Sequence, residues 1–138
     1  MSRPLDTYRR CLTVVPEPSR LKEIRHFVDE VAAEIHLDDE RAFDLKVAVS
    51  EACANAAEHA GADPSLEICA TIEAGRLVFE IRDGGDFRLP ALGPDGLRTN
   101  RGLGLPLMVA LMDEVRFHKL PGNGTIVSLA LFLPTKND

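Results

Sequence analysis

Two amphipathic helical stretches follow one another in this chain with no strand between them, and that adjacency restricts the fold more than any other feature. In the first, Leu21, Ile24, Phe27, Val28, Val31 and Ile35 recur at three- and four-residue spacing and form one apolar stripe, with Ser19 placed to cap its start. The second is expected to begin after Leu37 with Asp38 or Asp39 as its cap. It should turn Phe43, Leu45, Val47, Ala48, Ala52 and Ala56 inward and end at Gly61 and Pro64. Helices clustered in this way do not serve as regular crossovers between parallel strands, so both stripes need one shared apolar surface.

Five strand patterns supply that surface. Residues 11–15 form a short β-branched run that stops at Pro16 and Pro18, where the missing amide donor ends a ladder. Residues 66–72 and 77–81 alternate in polarity and are joined by Glu73, Ala74, Gly75 and Arg76, whose glycine suits a positive-φ hairpin position. Residues 114–119 and 125–133 are the last pair, separated by the turn signal Pro121, Gly122, Asn123, Gly124. A third helix is expected from about residue 105 to 113, with Pro106 tolerated in its first turn. From Asp83 to Arg101 the glycines at 84, 85, 93 and 96 and the prolines at 90 and 94 break any period, which reads as a long loop of the kind that forms lids. The expected architecture is an α/β two-layer sandwich, with a mixed, mostly antiparallel sheet and three helices on one face. Its 138 residues fit one domain, with a core over about 11–134.

Charge and cysteine usage narrow the function. The formal net charge of -6 argues against direct nucleic-acid binding, because phosphate backbones are gripped by clustered lysine and arginine. Residues 1–4 lead into polar sequence without the apolar core of a secretory signal, so export is not expected. The longest apolar stretch, 103–112, is about half of the roughly twenty residues a membrane-spanning helix needs, and no membrane partner is expected. Cys11, Cys53 and Cys69 form no C-x-x-C pair and leave one over, which suits reduced thiols in a cytoplasmic protein.

Four short elements carry candidate chemistry. Glu51 and Asn55 lie four apart on the second helix and share one face, with His59 extending the row. A carboxylate beside an amide oxygen suits a magnesium half-site and a general base, although polar residues at this spacing more often form a wet helix face. Asp83, Gly84 and Gly85 close a strand; the plain reading is a turn, and the second is an acceptor for an exocyclic amine beside a backbone that a ligand can approach. Arg101, Gly102, Leu103, Gly104 and Leu105 precede a helix, where exposed amides and the macrodipole favour phosphate, yet no G-K-[ST] follows and there is no third dinucleotide glycine. Gly122, Asn123, Gly124 and Thr125 form a turn that stands on its own as a hairpin connection.

Taken in order, these elements resemble the boxes of the GHKL ATPases, and most closely those of the anti-sigma-factor serine/threonine kinases. The run 47–60, with Glu51, Asn55 and His59, resembles their N box. Asp83-Gly84-Gly85 resembles the G1 box, Arg101-Gly102-Leu103-Gly104-Leu105 the G2 box, and Gly124-Thr125 the last conserved turn. The segment Leu111-Met112-Asp113-Glu114-Val115 is similar to the one that follows G2 in those kinases, so the likeness covers residues 12–133. It implies the Bergerat ATP-binding fold. By position it makes Glu51 the general base and Asn55 the holder of the Mg²⁺ that bridges the phosphates. Asp83 would bind the adenine amine with support from Thr125. Gly85 would hinge the lid, and Gly102, Leu103 and Gly104 would line the phosphates. Beyond the resemblance, the charge of Arg101 makes it an expected phosphate contact. Where the family's G1 pattern is D-x-G-x-G, Asp86 and Phe87 follow Gly85 here, which bears on the lid more than on the adenine contact. A capping or packing role suits His59 better than catalysis.

The resemblance implies an ATP-dependent protein-serine kinase that phosphorylates a STAS-type anti-sigma antagonist and sequesters a sigma factor, in a family whose members are often homodimers. The alternative is a non-catalytic, ATP-gated protein-binding module that regulates transcription by sequestration. Loss of the Glu51 carboxylate separates the two, because it abolishes transfer only in the first.

Overall fold

The computed structural model describes residues 7–15, 17–58, 65–83, 92–93, 96–97, 104–121 and 124–134. Strand β1 (Arg9–Val14) is followed by a 3-10 turn (Pro18–Arg20), α1 (Leu21–Glu34) and α2 (Asp39–Glu58). Next come β2 (Leu66–Glu73), β3 (Arg76–Asp83), the two-residue strands β4 (Leu92–Gly93) and β5 (Gly96–Leu97), α3 (Gly104–Leu111), β6 (Glu114–Lys119) and β7 (Thr125–Phe132). Five strands form one sheet in the order β1-β2-β3-β7-β6, and every ladder in it is antiparallel. The short β4–β5 pair, inside the stretch expected to be loop, forms its own two-stranded ladder.

Strand alternation sends one set of side chains to the helices: Leu66, Ile68, Ala70 and Ile72 from β2, Leu77, Phe79 and Ile81 from β3, and Val127, Leu129 and Leu131 from β7. These meet Ile24, Phe27, Val28 and Val31 of α1, Leu45, Ala48, Val49, Ala52 and Cys53 of α2, and Met108 of α3 in one core. Phe27 and Phe79 pack edge to face with ring centroids 6.0 Å apart. The result is two layers with the helices on one side and a second sheet face that they leave uncovered.

Three local expectations are corrected. Ser19 does not cap α1, because 18–20 winds into a 3-10 turn, Arg20 donates its N–H to Glu17 O at 2.8 Å, and Arg20 itself stands at the N-cap without a side-chain bond. Phe43 is 63% exposed. At about 100° per residue it lies roughly 160° around the helix from Leu45, so the two cannot share one inward face. The cysteines are not all free: Cys11 and Cys69 are opposite each other in the β1–β2 ladder and joined by a disulfide, with Cα atoms 4.1 Å apart. Their 58-residue separation hides a proximity that only the strand register creates. The remaining cysteine, Cys53, is buried in α2, where desolvation pushes its thiol up to about 12.

The helix ends are set by local bonds. α1 closes with Leu37 N–H donating to Ala32 O and His36 N–H to Ala33 O, while His36 takes φ 60, the paired bonds and left-handed residue of a Schellman stop. Asp38 caps α2 as expected, its Oδ1 accepting the Arg41 N–H at 2.9 Å.

Candidate functional site

Among the described residues the buried polar or charged side chains are Asn55, Asp83 and Thr125, at 6%, 5% and 4% exposure. All three belong to the four elements that the sequence singles out. The wet-face alternative therefore fails for Asn55, since a helix residue placed only for solubility is not withdrawn from water.

Asp83 ends β3 and Thr125 begins β7, and the two are direct partners in the ladder. They belong to a row running Val14, Leu66, Asp83, Thr125, Lys119 across all five strands, at one end of the sheet. Parity puts Asp83 on the same face as Ile81 and Phe79, and Thr125 with Val127 and Leu129, which is the face the helices cover. Thr125 Oγ1 is buried without a hydrogen-bond partner. A buried hydroxyl in that condition is a donor and acceptor held in reserve for something else.

The length of α2 is sufficient to bring Asn55 to the same level. At the far end of the sheet Arg41 Nη2 donates to Phe132 O and to Asp113 Oδ2, both at 2.9 Å, and Asp113 Oδ2 also accepts the Phe132 N–H at 2.7 Å. Phe132 pairs with Arg76, seven positions along the ladder from the Thr125–Asp83 pair, or about 23 Å at the usual strand rise. From Arg41 to Asn55 the helix climbs about 21 Å. Since α2 packs against both β3 and β7, a helix anchored beside Phe132 and running along the strands is long enough to reach the Asp83–Thr125 end with Asn55, and half-buried Glu51 lies one turn before it.

α3 packs along α2 and finishes near Asp113, whose N–H bonds Ala130 O, so its first residue, Gly104, is the end of α3 farther from that anchor. Gly85, Arg101, Gly102, Leu103 and His59 lie outside the described residues. Sequence reasoning does not find the Arg41–Asp113–Phe132 anchor as a positioning device. Its only signal in the sequence is the likeness of the segment 111–115 to the stretch after the G2 box.

The donor set limits what can bind. Among the described residues no cluster of three or more His, Cys, Asp or Glu could hold a metal by itself. An amide oxygen at Asn55 with the Glu51 carboxylate nearby is a partial oxygen set, which fits a hard cation that draws its other ligands from phosphate and water. The uncovered face of the sheet has a shallow hollow lined by Arg76, Glu80, Glu114 and Arg116, in which Arg76 pairs with Glu114 and with Glu73, and Arg116 lies 3.9 Å from Glu114. No helix among the described residues is long and apolar enough to cross a membrane.

Known proteins resemble this chain in sequence and fold. Residues 14–131 match the histidine kinase-like ATPase domain family. The serine-protein kinase RsbW of Bacillus licheniformis is 36% identical over 85% of this chain and 81% of its own length. That of Bacillus pumilus is 34% identical over 88% of this chain and 84% of its own. Among solved structures, the RsbU and RsbW domains of a Mycobacterium tuberculosis protein superpose with a TM-score of 0.70 at 24% identity, over 92% of this chain. The chain spans 33% of that longer structure.

Proposed function

The chain belongs to the histidine kinase-like ATPase family, in the branch of the RsbW serine-protein kinases, and from that premise we propose that it binds Mg-ATP and transfers the γ-phosphate to a serine of a protein partner. The observation that supports the proposal is that the buried polar side chains among the described residues are Asn55, Asp83 and Thr125, the last two paired at one end of the helix-covered face.

In this reading the Asp83 carboxylate accepts a hydrogen bond from the adenine amine, and the unpartnered Thr125 hydroxyl gives the base its second polar contact. Asn55 offers its amide oxygen to the cation. When bound, Mg²⁺ neutralises charge on the transferring phosphoryl group. Glu51, one turn earlier, takes the proton of the attacking serine hydroxyl as a general base. Gly102, Leu103 and Gly104 line the phosphates with backbone amides, Arg101 adds a cationic contact, and Gly85 hinges the lid. The partner is a STAS-type antagonist of an anti-sigma factor, and the chain holds a sigma factor when the antagonist is phosphorylated. It acts as a homodimer in the cytoplasm.

The test is transfer of labelled γ-phosphate from ATP to a STAS-domain protein. Asp83→Asn should weaken ATP about 10- to 100-fold with the fold intact, the cost of one hydrogen bond to a charged group. Glu51→Ala should keep nucleotide binding and lower transfer by about 100-fold or more. Wild-type chain that binds ATP and partner yet transfers nothing would instead make it a nucleotide-gated binding module.

A further inference from the structure

Cys11 and Cys69 occupy facing positions on the sheet face that no helix among the described residues covers. β1 is an edge strand, so Cys11 is exposed, whereas Cys69, one strand further in, is only 7% exposed. Around the pair on the same face stand Arg9 and Thr13 of β1, Glu67 and Thr71 of β2, and Glu80, which faces Cys69 from β3. Arg9 Nη2 donates to Cys69 Sγ at 3.6 Å. Cys53 lies within α2 in the core, on the other side of the sheet, and has no access to either sulfur.

We propose that Cys11 and Cys69 are a reversible redox site, opened by small dithiols and closed by small disulfides of the glutathione type while the chain remains folded. The asymmetry of the pair dictates the chemistry. A thiolate of the reductant attacks the exposed Cys11 Sγ, and the bond between the two protein sulfurs breaks. Its electron pair leaves on Cys69 Sγ, where the Arg9 guanidinium stabilises the negative charge. The reductant's second thiolate then attacks its own sulfur in the mixed disulfide and releases Cys11, and each protein thiolate takes a proton from water. The products are two protein thiols and one oxidised small disulfide. In reverse, Cys11 attacks the small disulfide and expels one small thiol. Cys69 then attacks the Cys11 sulfur, expels the second and restores the bond.

What the bond controls follows from the loop it closes. Residues 11 to 69 include both α1 and α2, so the crosslink restrains the segment that carries Glu51 and Asn55. The proposal stands independently of the nucleotide reading, because neither cysteine lies on the helix-covered face.

The experiment uses the wild-type chain in native buffer. It is equilibrated with dithiothreitol or with glutathione disulfide, quenched by alkylation and mapped by mass spectrometry. The Cys11–Cys69 peptide should disappear in dithiothreitol and return in glutathione disulfide without loss of the folded circular-dichroism signal, while Cys53 is labelled only in denaturant. Reduction should lower Tm by about 10 °C, and Cys11→Ser should remove the redox dependence of Tm. Arg9→Gln should slow reduction several-fold while leaving the Tm of the oxidised form in place. Full alkylation of Cys11 and Cys69 after the oxidising treatment overturns the proposal, as does a bond that resists dithiothreitol until the chain unfolds. Both of these outcomes are read on the unmutated protein, so they hold even if a cysteine variant folds poorly.

Discussion

Asp83 and Thr125 face each other across the β3–β7 ladder, both buried on the helix-covered side, and only Thr125 leaves its side-chain oxygen without a partner. An unsatisfied buried hydroxyl costs about 1–3 kcal/mol, so replacing it with a methyl group of similar shape removes a penalty. Thr125→Val should therefore leave the apo protein equally stable or about 1 kcal/mol more stable in urea unfolding. Its ATP affinity by calorimetry should fall by about threefold to tenfold. A less stable apo protein with unchanged affinity would assign the hydroxyl to structure instead.

Asp113 receives two donors on one oxygen, from Arg41 and from the Phe132 N–H. Asp113→Ala should lower stability by about 1–2 kcal/mol, a range that allows for solvent around side chains about one-third exposed. The urea midpoint measures that loss. Because the same oxygen fixes the start of α2, ATP affinity should fall too, although Asp113 lies at the opposite end of the sheet from Asp83.

The β2–β3 hairpin turns through Ala74 at φ 53 and Gly75 at φ 76. Two left-handed residues in a two-residue loop suit the right-handed twist of the strands, and alanine is a poor choice for the first of them. Ala74→Asn should stabilise the protein by about 0.5–1 kcal/mol. Gly75→Ala should destabilise it by about 1 kcal/mol through the backbone alone, since nothing beyond its chain neighbours lies within 4 Å of the added Cβ. Thermal melts of both variants test the pair.

Glu34 accepts hydrogen bonds from the Tyr8 hydroxyl and from Arg10, and these bonds, with Tyr8 the larger influence, hold its carboxyl below the ordinary range. A carboxyl with a folded pKa below its unfolded one stabilises the fold above the unfolded value, and that contribution is lost as pH falls through the folded value. The gap in urea midpoint between wild type and Glu34→Gln should accordingly be present at neutral pH and close in acid. A gap independent of pH would show that charge on Glu34 contributes nothing.

Much of this organisation is legible in the residues because local periodicity and global packing agree. The β6 strand begins and ends where its alternation predicts, and Asp38 caps α2 as its position suggests. Phe43 misleads because its apolar character says nothing of its angle around the helix. The disulfide is hidden because a register is a property of two strands, and neither run alone says which residues will meet. Burial separates Asn55 from an ordinary polar helix face, and it arises only once α2 is laid on the sheet.

If Asn55 serves the cation as proposed, the clamp on Arg41 makes α2 a measuring rod whose length matters to that role. Adding or deleting one residue between Arg41 and Asn55 would shift the amide by about 1.5 Å along the axis and swing it by about 100°, away from the Asp83 row. Exposed positions along the rod are free to change identity. The number of residues between the clamp and Asn55 is not.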